Sequence, residues 1–336
     1  MKLRVGLIGL GRSWQKRHAP ILRAMGDRFD VRAVCDQVAH RAQQAARELG
    51  ARPVGGFRAL VNAPDVDAIL MLASQWYGAL PVMAACDAGK AVYCAVALDI
   101  DLKQAEAIKQ RVDQAGIAFM AELPKRHAPA TSRLKELIAT QLGPPRLIFG
   151  HHRLVSDAQP NRPDEPRNGP MRILIELVDW CRFIAGREPD KVIHVGHPAV
   201  AVDGNYDYEM LSLHFPSDPQ GGASEVTAQI SCGSYFPSSW PEAISFRRPA
   251  AIQVACENGI AFVDLPSQIT WFDTAGRHLE SLEAERPVEE QLFAQFYRAV
   301  TSLVRRQSDL EDAYRSMSIV LAGRAVELGQ EASLKF

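Results

Sequence analysis

This sequence as a whole has no excess of one charge: 38 Lys and Arg stand against 39 Asp and Glu, a formal net charge of −1. Proteins that grip nucleic acid or an anionic membrane need clustered cations, because phosphate neutralisation supplies most of their affinity. The run Lys125-Arg126-His127 is too short for that, so neither partner is expected. No apolar run reaches the roughly 20 residues that cross a bilayer. The opening "MKLRVGLIGLG" lacks the apolar block and cleavage site of an export signal. The six cysteines, at 35, 86, 94, 181, 232 and 256, lack paired spacing and several lie inside apolar runs, as reduced buried thiols do. A cytoplasmic protein is expected. Metal-ligand clusters are missing too: His151 and His152 are neighbours on a predicted strand and point to opposite faces, as do His194 and His197. Internal repeats and low-complexity segments are absent.

What remains is a chain of 336 residues, 47% hydrophobic, long enough for two packed domains. Up to about residue 122, short β-rich runs ("LRVGLIGL", "VRAVCD", "VDAILMLA", "AVYC", "IAFMAEL") alternate with helical patterns, such as "VAHRAQQAARELG" closed by Gly50. That alternation predicts right-handed crossovers and a doubly wound parallel sheet, a Rossmann domain over 1–122. From 123 to 336 the pattern changes. Strand candidates "RLIFGHHRL", "KVIHVGHPAVAV", "YEMLSLHFP", "SEVTAQISCGSYF", "AAIQVACENGIAFVD" and "QITWF" follow one another through turns, predicting an α/β domain built on a large, mostly antiparallel sheet. The apolar helix "PMRILIELVDWCRFIAG" interrupts it, two more helices near 288–305 and 308–328 close the chain, and "SDAQPNRPDEPRNG" reads as a flap beside a site.

"GLIGLGRSW" places Gly6, Gly9 and Gly11 where the first strand turns into a helix, and Asp36 ends the next strand 25 residues after Gly11. Glycines at such a turn let backbone N–H groups approach a pyrophosphate, and the acid takes the ribose hydroxyls, favouring NAD over NADP. Arg41 falls on the solvent side of the next helix. The third glycine position holds Trp14, or Ser13 with one residue inserted, which either bulges the turn or lays the indole over the cofactor site.

Together with "AACDAGKAVYC", "RLKELIATQLGPPRLI", "LVDWCRFIAGREPDKV", "ENGIAFVDLP" and the closing "SDLEDAYRSMSIVLAGRAVELGQEASL", these motifs make the chain resemble the glucose-fructose oxidoreductase, inositol dehydrogenase and MocA (Gfo/Idh/MocA) family over nearly its whole length. The resemblance implies an NAD(P)-dependent oxidoreductase acting on a sugar, polyol or related alcohol, and a homodimer or homotetramer. It also assigns cofactor contacts to Gly9, Gly11, Arg12, Ser13, Trp14, Asp36, Ala73 and Ser74. The usual Glu-Lys-Pro after "AGKAVYC" is here Ala95, Val96 and Ala97, and valine can neither donate a hydrogen bond nor carry a proton. The usual Thr-Pro and following histidine are Ala73, Ser74 and Gly78. The family's Asp, His and Asp on the later helix are Arg172, Glu176 and Asp179.

At spacings of four and three, Arg172, Glu176 and Asp179 share one face of an otherwise apolar helix. An Arg172–Glu176 salt bridge that only packs the fold and a functional face both account for this. The segment "AELPKRHAP" adds Lys125, Arg126 and His127, either a solvated loop or a second source of protons. Glu176, Lys125 and Asp179 are therefore the catalytic candidates, and Arg126, His127 and Arg172 the substrate-binding ones. Three readings stay open: a divergent NAD-dependent enzyme with reassigned proton transfer, an inactive dinucleotide- or sugar-binding sensor or partner subunit, and non-redox chemistry on a sugar.

Overall fold

A computed structural model describes residues 2–11, 13–73, 77–95, 102–156, 169–198, 206–217, 224–237, 239–302 and 308–327. Arg12, Ser74, Val96, Ala97 and most of the expected flap (157–168) lie outside the described residues. The chain forms two compact units, Met1–Pro124 with Pro287–Tyr314, and Lys125–Arg286 with Arg315–Phe336.

The first unit is built on strands β1 (Leu3–Ile8), β2 (Phe29–Cys35), β3 (Arg52–Pro53), β4 (Ala68–Met71), β5 (Ala91–Cys94) and β6 (Phe119–Ala121). They form one sheet in the order β3-β2-β1-β4-β5-β6, every pair parallel. Helices α1 (Ala19–Ala24), α2 (Ala39–Leu49), α3 (Phe57–Val61), α4 (Leu80–Asp87) and α5 (Leu102–Ala115) are the crossovers. Strands covered on both faces must be apolar throughout, and β4 and β5 are buried at every position. The sequence pattern misses β3 and α3, each five residues or fewer and too short to show a period. The helix after the glycine turn opens as a π-type turn over Trp14–His18, with Trp14 only 6% exposed. A buried indole in place of a small residue keeps the helix from closing tightly on the strand, and the wider turn accommodates it.

Helix α9 (Val288–Thr301), assigned on sequence to the second domain, clusters with the first unit. Its aromatic face explains this: Phe293 packs on Phe29 (ring centroids 5.7 Å apart) and Tyr93 (4.9 Å), and Phe296 on Tyr93 (5.6 Å).

The second unit contains α6 (Pro129–Leu137), β7 (Pro145–Ser156), α7 (Gly169–Ala185), β8 (Lys191–Pro198), β9 (Tyr206–Phe215), β10 (Val226–Pro237), α8 (Pro241–Ser245), β11 (Ile252–Cys256), β12 (Ile260–Asp264), β13 (Gln268–Asp273) and β14 (Gly276–Ser281). Helix α10 (Ser308–Glu327) contributes its later turns. The eight strands form a sheet in the order β14-β13-β12-β11-β7-β10-β9-β8, antiparallel except for the β7–β10 pair. The single run expected over "AAIQVACENGIAFVD" is a hairpin, β11 and β12, turning at Asn258-Gly259. Strand β14, "GRHLES", escaped the sequence reading because every position is exposed or half-buried and only Leu279 is strongly apolar. A Cβ placed on Gly150 would lie 3.6 Å from Leu177 of α7, so even-numbered β7 residues face that helix.

Candidate active site

In the first unit, Gly9, Asp36 and Ala73 follow the C-terminal ends of β1, β2 and β4, which are neighbours in the sheet. The strand order reverses between β1 and β4, the place where doubly wound sheets open a ligand crevice. Gly9 has φ +79°, and a Cβ there would meet the Ala73 carbonyl at 2.6 Å. Only glycine fits so close a crossing. A Cβ on Gly11 would meet the Ala73 methyl at 3.2 Å. The Trp14 N–H donates to the Gly11 carbonyl (3.0 Å), and half-buried Ser13 precedes the turn without a capping side-chain bond.

The Asp36 carboxylate accepts the Leu10 N–H (2.6 Å) through one oxygen and the Val38 N–H (2.8 Å) through the other. Each oxygen keeps a second lone pair, so a fixed acceptor pair remains for a vicinal diol. Arg41 is exposed. The close crossing of Gly9 and Gly11 over Ala73 leaves the turn without side chains at these glycines, and with the clamped Asp36 acid beside it, Gly9, Gly11, Ala73 and Asp36 are the residues that could hold a dinucleotide.

In the second unit, the two acids of the α7 stripe are met by Lys125 and Arg126 of the turn before α6. Lys125 pairs with Glu176, and Arg126 grips Asp179 through Nε (2.6 Å) and Nη2 (2.5 Å). Lys125 is aimed by a short chain of bonds: Trp180 Nε1–H donates to Thr131 Oγ1 (3.0 Å), and the Thr131 hydroxyl donates to the Lys125 carbonyl (2.7 Å). Glu176 also accepts from Arg172 Nε (3.1 Å), the bond that the four-residue spacing allows. Burial alone would push the Glu176 carboxyl up, but Lys125 and Arg172 outweigh it and hold it below the ordinary carboxylate range.

Asp179 and Arg126 are placed differently from Glu176 and Lys125. Asp179 is 1% exposed, takes a bidentate guanidinium, and has Ser316 Oγ at 3.4 Å and Arg182 at 3.7 Å. Arg126 in turn lies 5.4 Å from the Phe183 ring. Such a pair holds a turn to a helix. Burial and the neighbouring Arg126 charge lower His127 to about 4, so its imidazole is neutral at pH 7 and has no proton to lend as an acid.

The sequence alone gives His152 no role in this site. His152 lies on the α7-facing side of β7, in register with buried Cys232 on β10. Burial, then the Lys125 charge, lower its imidazole to about 4, with Glu176 pulling the other way. Strand alternation from Gly150 was the signal for that face. His151, on the opposite face, is bonded to Ser231 Oγ (2.7 Å) and Tyr235 OH (3.2 Å). No group of three or more His, Cys, Asp or Glu is placed to hold a metal among the described residues, and none of their helices is long and apolar enough to cross a membrane.

Residues 3–123 match the Gfo/Idh/MocA model, an oxidoreductase family with an NAD-binding Rossmann fold. The chain is 28% identical over 247 residues to inositol 2-dehydrogenase of Salmonella paratyphi B, covering 68% of this chain and 66% of that protein. It is 30% identical over 159 residues to inositol 2-dehydrogenase 3 of Saccharopolyspora erythraea, 46% of each. The matches thus span just under two thirds, or less, of these relatives' own length. A solved levoglucosan dehydrogenase, in complex with NADH and levoglucosan, superposes with a TM-score of 0.80 over 97% of this chain and 98% of its own, at 17% identity, a likeness of fold.

Proposed function

We propose, from the premise that this chain belongs to the Gfo/Idh/MocA family of oxidoreductases, that it is an NAD-dependent dehydrogenase of a sugar or polyol whose proton transfer has moved to Lys125 and Glu176. The observation that carries this reading is the Lys125–Glu176 pair, half-buried and fixed from both sides by α7 and Thr131. An ammonium and a carboxylate in contact can exchange a proton: Lys125 passes one to Glu176 as it takes the one leaving the substrate hydroxyl. A bound NAD would supply the hydride acceptor for oxidation of the substrate alcohol. His152, neutral at pH 7, offers the substrate a hydrogen-bond acceptor. Asp36 supports NAD over NADP, because a clamped carboxylate welcomes a ribose diol and repels a ribose phosphate.

The alternative, a dinucleotide- or sugar-binding protein without turnover, is favoured by one observation. Glu176 is shared between two cations and held below its ordinary range, which weakens it as a base. Calorimetric titration with NAD, NADH, NADP and NADPH, followed by a polyol and sugar screen, separates the two. The dehydrogenase reading expects NAD(H) binding that Asp36→Ala weakens about 10- to 100-fold, with turnover that Glu176→Gln abolishes while NADH affinity is kept. Binding without turnover on any of the screened alcohols supports the alternative.

Self-association is part of the proposal. Ile193, Ser212, Gln229, Phe149, Gln253, Phe262, Thr270 and Leu279 lie side by side across all eight strands of the second unit's sheet, on the face away from α7. Ile193 is 63% and Leu279 69% exposed. A face of that kind suits a homodimer or homotetramer. The six buried thiols suit a reducing, cytoplasmic setting.

A further inference from the structure

The chain leaves the first unit after Pro124 and re-enters it at Pro287. An acid of the first unit stands beside each crossing: Glu122 at the end of β6, and Glu289 in the first turn of α9. Both converge on Arg17. Glu122 pairs with its Nη2, and Glu289 accepts from its Nε (2.9 Å). His18, at the next position, has Nε2 3.3 Å from Glu122 and its ring 6.1 Å from that of Phe293. Phe293 lies four residues after Glu289 and so on the same face of α9. The Glu122 side chain has no exposed surface, and those of Arg17 and Glu289 are only 32% and 25% exposed. A bridge so enclosed holds one arrangement, unlike an ion pair in open water.

Arg17 and His18 close the π-type turn Trp14–His18, which continues directly from the glycines of the nucleotide turn. Two backbone bonds tie that stretch together: the Trp14 N–H donates to the Gly11 carbonyl (3.0 Å), and the Trp14 carbonyl accepts the Ala19 N–H. Buried Trp14 packs it in place. Close-packed, hydrogen-bonded segments transmit a constraint more than they absorb it, so what steadies Gly9 and Gly11 also steadies Arg17.

We propose that Arg17 is a positioning residue that joins the nucleotide turn to both crossings, so that a dinucleotide held at Gly9 and Gly11 tightens the first turns of α9 and the end of β6. The inference rests on the dinucleotide reading of that turn and adds to it Arg17, Glu122 and Glu289, which lie outside the cofactor contacts. Arginine suits the role because its rigid fork aims Nε and Nη2 at two different carboxylates, where lysine offers a single point charge. Coupling of this kind is reciprocal: if binding tightens these segments, loosening them weakens binding.

The test is hydrogen–deuterium exchange, read by mass spectrometry on the full-length protein with and without saturating NADH. In the wild-type protein NADH should slow exchange about threefold or more in 286–296 and 119–124, as well as in the glycine turn. Glu289→Gln, at a partly exposed position, should abolish the slowing in 286–296 and keep it in 119–124 and the glycine turn. Calorimetry should show its NADH affinity weakened about three- to tenfold. Arg17→Gln should abolish the slowing in both distant segments; if that variant does not fold, Glu289→Gln decides alone. Each comparison sets the free against the loaded form of one variant, so a general loss of packing cancels and only the response to NADH is read. Wild-type protein that binds NADH without slowing in either segment overturns the inference and leaves the dehydrogenase reading standing. So does Glu289→Gln protein that keeps either the slowing in 286–296 or the wild-type affinity. Wild-type protein that binds no NADH overturns both.

Discussion

Glu122, at the end of β6, keeps a charged carboxylate with no exposed surface because three side chains converge on it. Tyr93 OH donates to it (2.9 Å), Arg17 bridges it to Glu289, and His18 Nε2 sits 3.3 Å away. Burial alone would raise this carboxyl, but His18, Arg17 and Tyr93 together lower it to about 2. The sign of the pH dependence follows. Between the ordinary value of 4.5 and about 2 the unfolded chain binds a proton that the folded chain does not, so stability present above pH 4.5 is lost as pH falls through that window. The shift corresponds to about 3 kcal/mol. Urea unfolding of wild type and Glu122→Gln from pH 7 to pH 3 should show the variant less stable at pH 7 by a similar amount, about 3 kcal/mol, with the gap closing toward acid. A constant gap would assign the loss to packing. The sequence displays Glu122 as one more acid near a basic run, and nothing in it says that Arg17 and His18, more than a hundred positions earlier, supply its partners.

The turn at 124–127 and helix α7 show what spacing can and cannot disclose. Helical periodicity places Arg172, Glu176 and Asp179 on one face, and the structure keeps them there. The partner across is invisible in the sequence, because Lys125 and Arg126 come from 51 and 53 residues away. The two pairs also differ in kind. Arg126→Ala removes the bidentate partner of a carboxylate that is 1% exposed and should cost about 3 kcal/mol, whereas Lys125→Ala leaves Glu176 its bond to Arg172 and should cost less. Chemical denaturation measures both. If Lys125 is catalytic, its variant loses turnover while staying folded, and similar stability losses in the two variants would contradict this division of labour. The exposed short strand β14 and the hairpin turn between β11 and β12 are harder to read for a related reason: they are held by neighbours in the sheet more than by a pattern of their own.

At the scale of the whole molecule, the proposed association falls on one sheet face, the row from Ile193 to Leu279. Phe149→Lys, at a 38% exposed position in the middle of that row, should shift the species seen by sedimentation velocity toward monomer with little change in NADH affinity, and an unchanged distribution would place the contact elsewhere. Helix α9 carries a different consequence, for the order in which the chain is made. Phe29 and Tyr93 emerge from the ribosome early, but the rings that cover them, Phe293 and Phe296, belong to a segment that begins only at Pro287. At about 5–20 residues per second the intervening Lys125–Arg286 takes roughly 8–30 s to synthesise. Through that interval the nascent nucleotide-binding half carries a bare aromatic patch. That half of the core therefore cannot close until the segment after Pro287 has been made.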